Sequence, residues 1–162
     1  MLHDLATLIG SSVIATDGEM GSVRSFLFDD QSWTIRYLVV DVGNWLARRA
    51  VVLAITAVEQ PDWAKKMLHA NLTKEQVRNS PDVDSEEPVS RQQEIAMREY
   101  YGWPIDWLDQ EFGGAIPAFR EFPVHTKSDP YLRSIWHLAG YEVWSTDLEI
   151  GRLQGFVVDD AS

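Results

Sequence analysis

The chain has 162 residues, 45% apolar and 24% charged, which is enough to bury a core in one compact domain or two very small ones and too apolar for wholesale disorder. It contains no cysteine, which excludes disulfides, thiolate metal sites and cysteine nucleophiles and suits the reducing cytoplasm. Net charge is −11, from 25 acids against 14 bases, so a phosphate backbone is repelled on average and nucleic acid is disfavoured as a partner.

At the start of the chain, Met1-Leu2-His3-Asp4 lacks the charged-then-apolar layout of a signal peptide. Val13-Ile14-Ala15 is a short apolar strand candidate, followed by a turn signal at Thr16-Asp17-Gly18-Glu19. Val23 to Phe28 is rich in β-formers and Asp29-Asp30-Gln31-Ser32 is the next turn. Trp33 to Val42, aromatic and β-branched throughout, is the longest strand candidate. Gly43-Asn44 breaks it, and Ala50 to Ile55 supplies another strand. This last run is also the longest apolar stretch, far short of the roughly 20 residues of a membrane helix, so no membrane insertion is expected. Residues 8–58 thus read as a meander of four to five short strands. Apolar residues occupy both faces of Val23–Phe28 and Tyr37–Val42, which suits a small closed or nearly closed barrel.

The middle of the chain changes character. Thr73 stands three residues before Gln76, a capping-box spacing that predicts a short helix. Asn79 to Pro88 reads as a loop or linker. Ser90 and Gln93 repeat the capping spacing and open a helix through Ile95, Met97 and Tyr100 or Tyr101, stopped by Gly102 and Pro104. Trp103 and Trp107 are expected to staple this segment onto a barrel. Residues 113–130 are loop-like.

An internal repeat follows. Residues 8–32 align without gaps on residues 138–162 at an offset of 130, with 11 of 25 positions identical, among them Gly10/Gly140, Asp17/Asp147, Gly21/Gly151, Phe26/Phe156 and Asp29-Asp30/Asp159-Asp160. One structural unit is therefore expected to occur twice. The second copy stops at the counterpart of Ser32, so everything matching Trp33–Val58 is missing, through trimming of the sequence or by nature. A half-meander leaves backbone groups bare along Gly151–Val158, and the first copy or a second chain is expected to cover them.

The run Ile9-Gly10, Asp17-Gly18-Glu19-Met20-Gly21, Phe26-Leu27-Phe28-Asp29-Asp30, Trp33-Thr34-Ile35-Arg36-Tyr37-Leu38-Val39-Val40-Asp41 and Trp45-Leu46 resembles the PRC-barrel family. That is the β-barrel domain of the photosynthetic reaction-centre H subunit, of a ribosome-maturation factor and of many small bacterial stress-associated proteins. Ser80-Pro81, Val83-Asp84, Pro88 to Arg91, Glu94, Tyr100 to Pro104 and Trp107 resemble the linker of tandem members, and Asp129 to Ser134 resembles their lead-in to a second barrel. The resemblance implies a mainly-β fold: a PRC-type barrel at 4–60, a helical and loop linker at 61–130, and a partial second barrel at 131–162. It also implies an adaptor that docks on other macromolecules; membership in a reaction centre is not implied.

The chemistry-bearing residues point to no enzyme. Asp29-Asp30 and Asp159-Asp160 lack calcium-loop spacing and read as turn formers. His3, His69, His125 and His137 show no metal-ligand spacing. No nucleophile elbow and no phosphate loop is present, and no cofactor is expected. Arg48-Arg49 and Lys65-Lys66, the only paired bases, read as solvated surface. The function expected is a non-enzymatic adaptor or scaffold with a protein partner, self-associating as a homodimer or by strand exchange. Glu142–Trp144 and Gly151–Val158 would supply main-chain hydrogen bonds. Val143, Phe156 and Val158, or Leu153 and Val157 in a register slipped by one, would supply the apolar contacts. The alternatives are a small-ligand-binding barrel, which requires an apolar cavity of at least about 300 Å³, and a ribosome- or RNA-associated factor.

Overall fold

A computed structural model of the protein describes residues 1–43, 49–81, 89–103 and 131–159. The strands are β1 (Leu2–Asp4), β2 (Ser12–Ala15), β3 (Gly18–Asp29), β4 (Thr34–Val42), β5 (Arg49–Ala54), β6 (Met67–His69), β7 (Leu132–Ser134), β8 (Glu142–Trp144), β9 (Glu149–Arg152) and β10 (Val157–Asp159). Helices are α1 (Lys74–Arg78), α2 (Arg91–Tyr101) and α3 (Ile135–Leu138), with 3-10 turns at Leu5–Leu8 and Ile55–Ala57. The chain is mainly β.

The principal sheet runs β5-β4-β3-β2-β6, antiparallel except that β6 lies parallel to β2. β3 is long enough to serve two neighbours on one edge: its first half pairs with β2 and its second half with β7. Its other edge pairs with β4. Among the described residues the ladder does not close into a barrel. After β5 the chain turns through Ile55–Ala57 and meets the β6 end of the sheet at two isolated bridges, Val58–Ala70 and Asp62–Met67. Glu59 N–H donates to His69 O and Asn71 N–H to Ala57 O there.

Both faces of β3 and β4 are apolar because each covers a separate core. Val23, Phe26, Phe28, Leu38 and Val40 point into the main one, with Leu5, Leu8, Val13 and Leu53. Leu27, Tyr37 and Val39 point into a second, capped by Val89, Met97 of α2 and Leu132 of β7. The doubly apolar pattern therefore comes from a helix and a distant strand packing on the outer face rather than from ladder closure. The sheet also runs past residue 60: Leu68 of β6, Ala70, Leu72 and Val77 of α1 belong to the main core.

Both helix starts follow from their capping spacing. Gln76 N–H donates to Thr73 Oγ1 at 3.2 Å and Thr73 N–H to Gln76 Oε1 at 2.8 Å. Ser90 and Gln93 make the same reciprocal pair at 3.2 and 2.8 Å, which together satisfies two otherwise orphaned donors per helix. α2 stops at Gly102, whose φ of 75° is left-handed, a conformation that costs other residues their Cβ clearance. Pro104 and Trp107 lie outside the described residues.

The elements after residue 131 echo those at the start. Gly10 N–H donates to Val23 O at 2.8 Å, and 130 residues later Gly140 N–H donates to Leu153 O at 2.9 Å. Val23 N–H returns to Ser11 O at 2.9 Å, and Leu153 N–H to Tyr141 O at 2.8 Å. The β2–β3 register Ser12↔Ser22, Val13↔Gly21, Ile14↔Glu19 recurs in β8–β9 as Glu142↔Arg152, Val143↔Gly151, Trp144↔Glu149, with the irregularity at the same step. The two parts also exchange strands reciprocally. β1 pairs with β10 as Leu2↔Asp159, His3↔Val158 and Asp4↔Val157. β7 pairs with the end of β3 as Leu132↔Asp29, Arg133↔Phe28 and Ser134↔Leu27, the same register with the roles swapped.

Candidate functional site

The carboxy-terminal hairpin is fastened to the sheet at its base and left open at its tip. At the base, Ser134 Oγ lies 3.1 Å from Ser25 Oγ, Trp136 Nε1 donates to Arg24 O at 3.0 Å, and Arg133 pairs with Asp30 at 3.0 Å. Leu5 N–H donates to Phe156 O at 2.9 Å. At the tip, β8 and β9 pair only with each other among the described strands. Val143 is 42% exposed and Ile150 65%, whereas their counterparts in the first hairpin, Val13 and Met20, are 0% and 9% exposed. Trp144 and Leu148 are exposed beside them. In the first hairpin Val13 and Met20 belong to the main core.

The five residues expected at a partner interface do not share one surface. Val143 and Val157 are exposed. Leu153 is half-buried. Phe156 and Val158 pack onto the main core from β10 and the segment before it, with the Phe156 ring 5.4 Å from that of Phe28. The expected strand Gly151–Val158 is two strands, β9 and β10, and the second is paired with β1. The first part of the chain thus covers one edge of the remnant. Trp144, Leu148 and Ile150 are also exposed on this hairpin. Sequence reasoning passed over them, although Ile150 aligns with the core residue Met20.

Beside the strand exchange lies a half-open cleft of about 690 Å³. It runs between the β3 end, the start of β4, the turn after β5 and β10, and its walls include Phe28, Trp33, Ile35, Val58, Trp63 and Phe156. Phe28 stacks on Trp33 at 5.5 Å, and His3 stacks on Trp63 at 4.0 Å with the planes 7° apart.

The remaining expected groups are occupied in structure. Asp29 accepts from Gln31 N–H and Ser32 N–H, both at 2.9 Å, and is approached by Arg36 at 3.5 Å. Burial pushes its pKa up, but these hydrogen bonds and the guanidinium outweigh it and hold the carboxyl below its ordinary value. Asp17 accepts from Lys74 N–H at 2.9 Å at the start of α1. Arg49 donates to the Arg78 and Ser80 carbonyls, both at 2.6 Å; Arg48 lies outside the described residues. Lys65 pairs with Asp62 at 3.1 Å. Trp103 stacks on Tyr101 at 4.0 Å against the cores. Among the described residues no group of three or more histidines and carboxylates is placed to hold a metal ion.

One buried polar group escaped sequence reasoning. Glu94 of α2 accepts from Arg36 Nη2 at 2.8 Å and from Tyr37 Oη at 2.6 Å, with its own side chain fully buried. The signal was present: Glu94 shares the helix stripe of Met97 and Tyr101, at spacings of three and four residues, and Arg36 interrupts an apolar strand. Burial, then the Glu94 charge, pushes the Tyr37 phenol well above its ordinary pKa, so it stays a donor.

A small sheet with a long shared central strand and two helices capped as described defines a β-module. Residues 2–77 match the model of the PRC-barrel domain family, and the chain carries a PRC-barrel domain there. No curated protein matches the chain. No described helix is long and apolar enough to cross a membrane.

Proposed function

We propose that the protein is a non-enzymatic adaptor in which residues 131–162 act as a partial second barrel and mediate association, including self-association. The carrying observation is that Val143 and Ile150 are exposed at the positions where Val13 and Met20 form core. A glycine supports the same reading. A Cβ on Gly21 would stand 2.0 Å from the Asp41 carbonyl oxygen of β4, so the approach of a neighbouring strand requires that glycine. Gly151 repeats it, yet nothing lies within 4 Å of its Cβ position. The β9–β10 edge is thus shaped for a strand, and edge addition supplies main-chain hydrogen bonds while Val143, Ile150 and Val157 supply apolar contact. A symmetric pair of chains is the simplest closed arrangement.

Sedimentation velocity across a concentration series tests this. A reversible dimer is expected, weakened by Val143→Glu with Ile150→Glu, both at exposed positions. A strict monomer at the highest concentration ends the self-association reading. RNA association is the weaker alternative, because Arg49 is committed to the Arg78 and Ser80 carbonyls and the chain carries a charge of −11.

A further inference from the structure

We infer that a second pocket, between α1 and the start of β3, is a binding site for a small oxyanion, a carboxylate or phosphate, carried on a short apolar body. The proposal is independent of self-association, because the described lining lies within residues 19–78 and shares no wall with β8, β9 or β10.

Three observations carry it. The first is size and lining. The pocket encloses about 520 Å³, within the range of roughly 300–1,000 Å³ typical of small-molecule sites. It opens where β3 begins, β4 ends and β5 begins, with α1 completing the wall. Met20, Val42 and Val77 supply apolar lining.

The second observation is charge. On a chain with 25 acids and 14 bases, the charged residues described in this lining are three bases, Arg49, Lys74 and Arg78, and one acid, Glu19. Glu19 accepts from Ser12 Oγ at 2.9 Å, and Arg49 is committed to the Arg78 and Ser80 carbonyls. Lys74 and Arg78 differ. Their main-chain groups are bonded, Lys74 N–H to Asp17 and Arg78 O to Arg49. Neither the ammonium nor the guanidinium makes a hydrogen bond or ion pair among the described residues. Two cations thus line the pocket without a counter-ion there.

The third observation is that these bases are held in place. Lys74 and Arg78 stand four residues apart, on one side of α1, and α1 is fastened at both ends. The Thr73–Gln76 capping box fixes its start, and Arg49 takes the Arg78 carbonyl at 2.6 Å. Tyr100 Oη donates to Gln76 O at 2.9 Å. The Lys74 ammonium lies against the turn before β3, where a Cβ on Gly18 would stand 3.1 Å from Nζ. Such ties lower the ordering cost of binding. A cation would meet an excess of positive charge, and a nucleic acid needs a longer row of bases than this acidic chain offers here. One oxyanion answers both bases, and its apolar body covers the carbon between them.

Octanoate and octyl phosphate present the two headgroups on one tail; octanol and octyltrimethylammonium carry the same tail with no charge and with the opposite one. Isothermal titration of the full chain is expected to show one anion per chain, with octanol and octyltrimethylammonium at least about tenfold weaker, the scale of one charge-assisted hydrogen bond. Binding of either anion supports the site, and the tighter of the two identifies the headgroup. Lys74→Gln combined with Arg78→Gln is expected to weaken the anions about tenfold and to leave octanol unchanged. Glu19→Gln, which removes the acid from the described wall, is expected to tighten them severalfold. Thermal melts check that the variants stay folded. Binding of neither anion, equal or tighter binding of octanol or the ammonium, or anion affinity untouched by the double substitution in folded protein overturns the proposal.

Discussion

Glu94 brings a carboxylate into an interior that would reject it alone, and Arg36 and Tyr37 make it tolerable. Removing one member of a buried pair typically costs about 3–5 kcal/mol, because the other charge is left uncompensated. Glu94→Ala is therefore expected to lower the melting temperature more than any substitution on the exposed face of α2, and Tyr37→Phe to cost about 1–3 kcal/mol as one unmade buried hydrogen bond; thermal melts check both. Tyr37 also sets an alkaline limit. Its folded pKa is raised, so its contribution is present below the ordinary value of 10.0 and is lost as pH climbs past it. The steepness of that loss is expected to lessen in Tyr37→Phe. Asp29 has the opposite sign. Its folded pKa is lowered from 3.8, so its stabilisation is present above that value and disappears as pH falls below it. The gap in stability between the native chain and Asp29→Asn should close on acidification, measured by urea unfolding at a series of pH values. The turn role of Asp29 was legible from residue type. The ion pair was less so, because its halves are 58 residues apart and only the fold brings them together.

Among the elements, β3 carries the most. It pairs with β4 along one edge and with β2 and β7 on the other, and Gly21 is where β4 comes closest. Gly21→Ala would set a Cβ 2.0 Å from the Asp41 oxygen, which only a shift of the β4 backbone relieves. Overpacking of this kind costs about 1–3 kcal/mol, and hydrogen exchange is expected to localise the loss to the Val40–Val42 end of β4. The helices were legible because a capping box is written in two residues of one short segment. The outer core was not, because the apolar outer face of β3 and β4 reads equally well as a closed barrel or as a surface awaiting a helix. Only the placement of Met97, Val89 and Leu132 decides between them. The parallel partner β6 went unseen for a related reason: three residues, Met67–His69, are too few to show a period.

At the scale of the whole molecule, charge makes a prediction that separates two kinds of partner. Two chains of net charge −11 repel each other, and salt screens that repulsion. Self-association through apolar strands is expected to strengthen as salt rises from about 50 to 500 mM, whereas binding to nucleic acid would weaken steeply. Sedimentation across that salt series distinguishes them. The repeat was legible from identities alone. What it does in space was not, because β1 and β7 are three residues each and carry no mark of which edge they will join.

That mutual loan of opening strands has a mechanical result. A protease nick anywhere between residues 103 and 131 severs the covalent tether, yet the pieces stay hooked together, each holding the other by a short antiparallel grip at Leu2–Asp4 and Leu132–Ser134. The nicked protein should run as one particle on native gel filtration and as two bands after denaturation. Clipping off the first three residues should loosen the far tail at Val157–Asp159 while leaving Asp4 to cap the neighbouring turn Leu5–Leu8.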